Sequence, residues 1–193
     1  MSDTKTIVIA EPRQPILSAD VLDDFLQKAA DFQADRARLL PYWIDAGKRH
    51  PAVVAGLKLS VAVGGPNGLQ RPTHKAIEAS GAVKQGVDDV LLTLPTDGLK
   101  PRLDQLDRTQ LLGEIREMLR AIRAAGPATT VGIAWPMGID SPDESVVGPW
   151  CEFLRQAGCD YLRLPAAIAA THDFLETHQA MPGPLTIMHR LSV

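Results

Sequence analysis

At 193 residues, with 45% apolar and 22% charged residues, the chain is sized for one domain with a sizeable core and has an ordinary soluble composition. A net charge of −3, with basic residues scattered apart from short pairs such as Lys48-Arg49, argues against a nucleic-acid partner. No run approaches membrane-spanning length and Met1-Ser2-Asp3-Thr4-Lys5 lacks the apolar stretch of a signal peptide, so a single cytoplasmic domain over 1–193 is expected, away from membranes.

In chain order, Thr6–Ala10 is the first strand candidate, and Ser18 caps a helix whose apolar face takes Leu22, Phe25, Leu26 and Ala29. Ala37–Leu40 and Leu57–Gly64 follow as strands. Pro72 at a first helical position and Gly86 just past the end bracket the next helix. Asp89–Leu94 is the fourth strand. Gln105–Ala125 sets Leu111, Leu112, Ile115, Met118, Leu119 and Ile122 on one helical face, and Gly126-Pro127 stops it. After a fifth strand, Thr130–Trp135, Ser141-Pro142-Asp143-Glu144 reads as a capping box for a helix closing at Gly158. Tyr161–Leu164 is the sixth strand, Thr171 starts a last helix, and Leu185–His189 is the seventh strand.

Several of these strands are apolar at consecutive positions, as parallel strands buried on both faces are. The alternation fits a (β/α)₈ barrel or a doubly wound sheet, and pattern alone separates them poorly. No Gly-x-Gly-x-x-Gly follows the first strand, which leaves a dinucleotide-binding sheet little support.

Candidate site residues are few. Gly64-Gly65-Pro66-Asn67-Gly68 follows a strand; its N–H groups suit a phosphate cradle, or the run is a plain βα turn. Trp135 and Pro136 would wall a barrel mouth with apolar surface. His189 closes the seventh strand, as a general base or a frayed terminal histidine. His172 and His178 lack the one-turn spacing of a metal pair. Cys151 and Cys159 have no histidine at ligand spacing and read as reduced, buried thiols, so no metal is expected.

Leu59-Ser60-Val61-Ala62-Val63-Gly64-Gly65-Pro66-Asn67-Gly68, the Lys75/Glu78 helix running to Gly86-Val87-Asp88-Asp89, Gly98-Leu99-Lys100, and Cys151-Glu152 followed by Ala157-Gly158-Cys159-Asp160 come in an order and spacing that resembles the deoxyribose-phosphate aldolase family over roughly residues 57–165. The resemblance implies a (β/α)₈ barrel and reversible aldol addition through a lysine imine, without metal or organic cofactor. It places Leu91 where the family has a proton-shuttling aspartate, and Arg163 where it has the Schiff-base lysine. Leu164-Pro165-Ala166-Ala167-Ile168 stands where substrate-positioning residues belong. The seventh strand has no lysine, and after Val193 nothing remains for an eighth unit.

A guanidinium stays protonated and cannot form an imine. The expectation is therefore a divergent member unable to form the Schiff base. It would keep a mouth for a phosphorylated or carboxylated ligand, drawn from Arg163, Gly65, Asn67, Trp135 and His189. An inward Arg163 needs a carboxylate (Asp97, Asp140 and Asp160 are candidates by sequence order), carbonyls, water or a bound anion, and reads either as an anion grip or as a structural salt bridge left behind after catalysis was lost. Leu91 reads as core, and Asp88 and Asp89 as structural groups at the strand's N-terminal end. Two alternatives stay open: an active class I aldolase (a lyase) using Lys100, the one other lysine on the expected face, and a homo-oligomeric assembly component whose open barrel edge pairs with another copy.

Overall fold

The structure, a computed structural model, describes residues 7–12, 15–65, 67–94, 107–134, 144–163 and 186–192; at 7, 107–108, 144–149 and 186–192 the description is of the backbone. Its elements in order are β1 (Ile7–Glu11), α1 (Ala19–Asp31), β2 (Arg36–Leu39), a 3₁₀ turn (Pro41–Trp43), α2 (Ile44–Gly47), α3 (Pro51–Val54), β3 (Lys58–Val63), α4 (Pro72–Gln85), β4 (Asp89–Leu92), α5 (Asp107–Ala125), β5 (Thr130–Ala134), α6 (Glu144–Ala157), β6 (Tyr161–Arg163) and β7 (Thr186–Ser192).

All seven described strands are parallel and pair in sequence order. β7 pairs with β6 and also with β1, where Val8 lies opposite His189 and Glu11 opposite Ser192, so the ring closes. Two expectations change here. The described strands leave no open edge to recruit a second copy, and His189 lies within β7 rather than at its end.

Side-chain alternation sorts the strands into two environments. One set (Ala10, Ala37, Leu39, Leu59, Val61, Val63, Val90, Leu92, Val131, Ile133 and Leu162) joins the core shared with Leu22, Phe25 and Leu26 of α1, Ala79 and Ala82 of α4, Leu111, Ile115 and Ile122 of α5, and Phe153 and Leu154 of α6. The other set points into the barrel. Its apolar members, Ile9, Leu91, Ala134 and Tyr161, form a separate small cluster. Leu91 is thus core, as expected, but core of the lumen. The strands are buried on both faces, yet much of the inner face is polar.

Local signals explain the helix ends. Ser18 Oγ accepts the Val21 N–H at 3.3 Å and caps α1. Gly86 ends α4 at φ 100°, and Gly158 follows α6 at φ 90°, both left-handed positions that a side chain rarely adopts. The segment 41–54, without a predicted element, forms short helical turns; Pro51 starts α3, and His50 Nδ1 accepts the Ala52 N–H. The capping box at 141–143 and the helix from Thr171 lie outside the described residues. Among the described residues no helix is long and apolar enough to cross a membrane.

Candidate functional site

The lumen holds two ionic layers. The lower one lies at the N-terminal ends of the strands, where Arg36, Asp89 and Thr130 each begin a strand. Asp89 is fully buried. Its Oδ1 accepts from the Arg36 guanidinium and from Thr130 Oγ1 at 2.9 Å. Oδ2 accepts from Ser60 Oγ at 2.5 Å and from the Tyr161 hydroxyl at 2.8 Å. Arg36 also donates to Thr130 Oγ1 at 2.7 Å. These bonds run between β2, β3, β4, β5 and β6, which is only feasible across a barrel interior. Burial first, then the neighbouring Asp89 carboxylate, pushes the Tyr161 phenol well above its usual range, so it remains a neutral donor. Gly132 makes room for the ring; a Cβ there would collide with Tyr161.

The upper layer lies at the C-terminal ends, the face on which barrel enzymes place their chemistry. Glu11 ends β1 and Arg163 ends β6. Glu11 Oε1 accepts from Arg38 Nη1, and Oε2 accepts from Arg163 Nη2 at 3.0 Å. Arg38 Nε donates to Ser60 Oγ at 3.2 Å, while its Nη2 stands 3.8 Å from Asp89 Oδ2 with no hydrogen-bond acceptor. Arg38 therefore joins the layers. Its side chain is 7% exposed against 25% for Arg163, so the outer guanidinium alone meets the mouth substantially.

Arg163 accordingly points inward, and its carboxylate partner is Glu11, which sequence order did not suggest. Asp160 instead pairs with Arg123 at 3.2 Å and accepts the Val131 N–H at 2.7 Å; Asp97 and Asp140 lie outside the described residues. Asp88 is structural as expected, accepting the Leu59 N–H at 3.0 Å. Asp89, expected to be structural or helix-capping, is structural as the hydrogen-bonding hub of the lumen. Gly65 and Asn67 are exposed, and Asn67 Oδ1 accepts the Leu69 N–H at 3.4 Å while Gly68 N–H bonds Gly64 O at 2.8 Å. These contacts belong to a turn. Lys100, Trp135, Pro136, His172 and His178 lie outside the described residues, as does the His189 side chain.

Lys75 is a residue that sequence reasoning undervalued. It is 1% exposed, and its Nζ donates to Gly68 O at 2.6 Å and Thr93 O at 2.7 Å, tying the β3–α4 turn to the end of β4. Burial lowers its pKa to about 8, with the Glu114 charge opposing. Gly64, at φ 81°, must be small, because a Cβ would lie 2.8 Å from Lys75 Cε. The available signal was phase: Lys75 shares a helical face with the buried Ala79, Ala82 and Val83. Lys28, Lys48, Lys58 and Lys84, the other described lysines, are exposed.

Cys151 and Cys159 are buried free thiols, as expected, and burial raises them to about 11 and about 12. A cavity of about 510 Å³ lies by the starts of β2 and β3, away from the mouth, between Ala30, Ala34, Ala52, Ala55 and Gly56. Of the charged residues lining it, Asp35 accepts the Val8 N–H at 2.8 Å, Arg36 bonds Asp89, and Lys58 is exposed.

No family model matches the chain. Comparison with curated proteins finds deoxyribose-phosphate aldolases, among them that of Kocuria rhizophila, 32% identical over 108 residues, which is 56% of this chain and 45% of the relative. The chain spans about half to under two thirds of the length of the curated relatives it matches (45–63%). Among solved structures, that described as a putative deoxyribose-phosphate aldolase from Coccidioides immitis has a TM-score of 0.71 at 14% identity, covering 94% of this chain and 70% of that one. A tetrameric deoxyribose phosphate aldolase from Aeropyrum pernix has a TM-score of 0.62 at 16% identity, covering 82% and 61%. The chain is therefore similar to these aldolases in sequence and shares their fold.

Proposed function

We propose that this chain is a divergent deoxyribose-phosphate-aldolase-like barrel that does not form the Schiff base at the family's position and keeps an anion-binding mouth. The observation that carries the reading is Arg163: it ends β6 inside the lumen with its guanidinium on Glu11, where the resembled family has its imine lysine. Among the described lysines the one buried amine, Lys75, donates to two carbonyls between β3, β4 and α4. Such an amine is occupied as a donor and has no open face for a carbonyl substrate. The direct β1–β7 ladder supports a barrel built without an eighth unit. In this reading the chain is a binding or structural protein, or an enzyme of altered chemistry, and the name shared by its relatives describes ancestry. Self-association, if retained, uses a surface other than a strand edge.

Trapping with acetaldehyde and borohydride tests the reading. The expected result is slow labelling scattered over exposed lysines, read by intact-mass and peptide mass spectrometry. Fast, stoichiometric reduction onto one lysine, Lys100 included, would establish an active class I aldolase and overturn it.

A further inference from the structure

The cavity of about 510 Å³ at the base of the barrel, away from the mouth, has the size of a small-molecule site. Its described lining joins an apolar floor to positive charge. Ala30 and Ala34 come from the end of α1 and the turn after it, Ala52 and Ala55 from α3 and its end. Ala34 is buried and Ala55 exposed, so the lining runs from a closed floor to an open rim, and the same helix ends carry exposed Phe32 and Val54. Arg36 and Lys58 both line the cavity and lie opposite each other in the β2–β3 ladder. Arg36 gives its Nη1 to Asp89 and Thr130, but its Nε is buried without an acceptor. Among the described residues the Lys58 ammonium makes no hydrogen bond or ion pair. Carbonyls at helix ends repel an anion, but these are occupied: Ala29 O and Ala30 O accept from Ala34 and Gln33, and Ala52 O and Val53 O accept from Leu57 and Gly56. Asp35, the carboxylate in this lining, is turned to β1, where it accepts the Val8 N–H.

We propose that this cavity binds a small monocarboxylate of the short fatty-acid class, its tail on the alanine floor and its carboxylate on Lys58 beside Arg36. An ammonium with its donors free selects an anion, and the hydrogen bond it makes is charge-assisted. The alanines leave room for an acyl chain, and binding removes apolar area from water. Asp35 limits the head to one negative charge, because a second would face that carboxylate. The site lies at the opposite end of the barrel from Arg163 and does not depend on how the mouth is read.

Calorimetric titration of the full chain with butyrate, hexanoate and octanoate should show saturable binding that tightens about threefold for each added methylene. Hexanol, a tail of the same length without charge, should bind about tenfold more weakly than hexanoate, the scale of one charge-assisted hydrogen bond. Hexylamine, with the opposite charge, should bind more weakly still. Lys58→Met removes an exposed ammonium that holds nothing in the fold; it should bring hexanoate down to the level of hexanol and leave hexanol unchanged. In proton–nitrogen NMR spectra the shifts caused by hexanoate should centre on the amides of Ala34, Gly56 and Leu57. Undiminished hexanoate binding by Lys58→Met, with shifts centred on Glu11 and Arg163, would put the carboxylate at the mouth, overturning this site and supporting the other. Hexanol binding as tightly as hexanoate would overturn the selection of an anion. No binding of any of these probes would overturn the site altogether. The comparison of hexanoate with hexanol uses the native chain alone and decides the matter even where the variant fails to fold.

Discussion

Asp89 and Glu11 are both carboxylates set among arginines inside one barrel, and they do different work. Asp89 lies at the sealed N-terminal end, where Arg36, Thr130, Ser60 and Tyr161 satisfy both oxygens. Glu11 lies at the C-terminal end, shared between a buried Arg38 and a quarter-exposed Arg163. The first arrangement is complete without any outside group and serves stability. The second brings a partly exposed guanidinium to the C-terminal ends of the strands. Depth in the lumen, rather than residue type, separates the two environments.

Removing one charge from each layer is the sharpest test of that difference. Asp89→Asn keeps the shape but leaves Arg36 buried without its counter-charge, and should cost about 3–5 kcal/mol in urea-unfolding stability, the largest effect expected here. Glu11→Gln should cost less, ~1–2 kcal/mol, because solvent screens Arg163. Equal losses would mean the mouth is as sealed as the base, and the comparison would fail.

Lys75 bears on the same boundary, since it fastens the mouth turn from outside the lumen. Its folded pKa of about 8 lies below the ordinary lysine value, so between about pH 8 and 10.5 the unfolded chain holds a proton the folded chain has lost. Stability from this group therefore rises with pH across that window, on the order of 3 kcal/mol in total, and the burial penalty is fully present below it. The difference in unfolding free energy between the native chain and Lys75→Met should shift by most of that amount, about 2.4 kcal/mol, in favour of the native chain, from pH 7.5 to pH 10. A flat difference would show the amine to be hydrated.

Much of the outer barrel was legible in the sequence, and little of the lumen was. Seven strands were expected and seven are described, because runs such as Leu59–Val63 and Val90–Leu92 are apolar on the helix-facing side whatever the lumen holds. The expected boundaries stopped short at the charges: Glu11 fell outside the first strand and Arg36 outside the second. A charged residue in a strand is a favourable interior group only through its partner, and these partners lie 27, 53 and 152 positions away. No local period carries that information. Arg163 was found through its position in a resembling strand, while Glu11 had no comparable flag. The turns at 41–54 were missed for a milder reason: three- and four-residue helices are too short to show a period.

Arg163→Lys is expected to change stability least, by under about 1 kcal/mol, since a lysine can keep an ion pair with Glu11 near the mouth. Its chemical consequence separates two reasons why the proposed barrel would form no imine at this position. With Glu11 beside it, the new ammonium is favoured in its charged form, and the free amine needed for attack stays scarce. Borohydride trapping of this variant should therefore remain slow. Adding Glu11→Gln removes the favouring carboxylate and leaves Arg38 as a like charge, which lowers the amine pKa, so single-site labelling should quicken. If Arg163→Lys alone labels fast, the arginine by itself blocks the chemistry and the Glu11–Arg38 pair plays no part in it. If neither variant labels, the mouth no longer admits the aldehyde, and the loss lies in its shape rather than its charge.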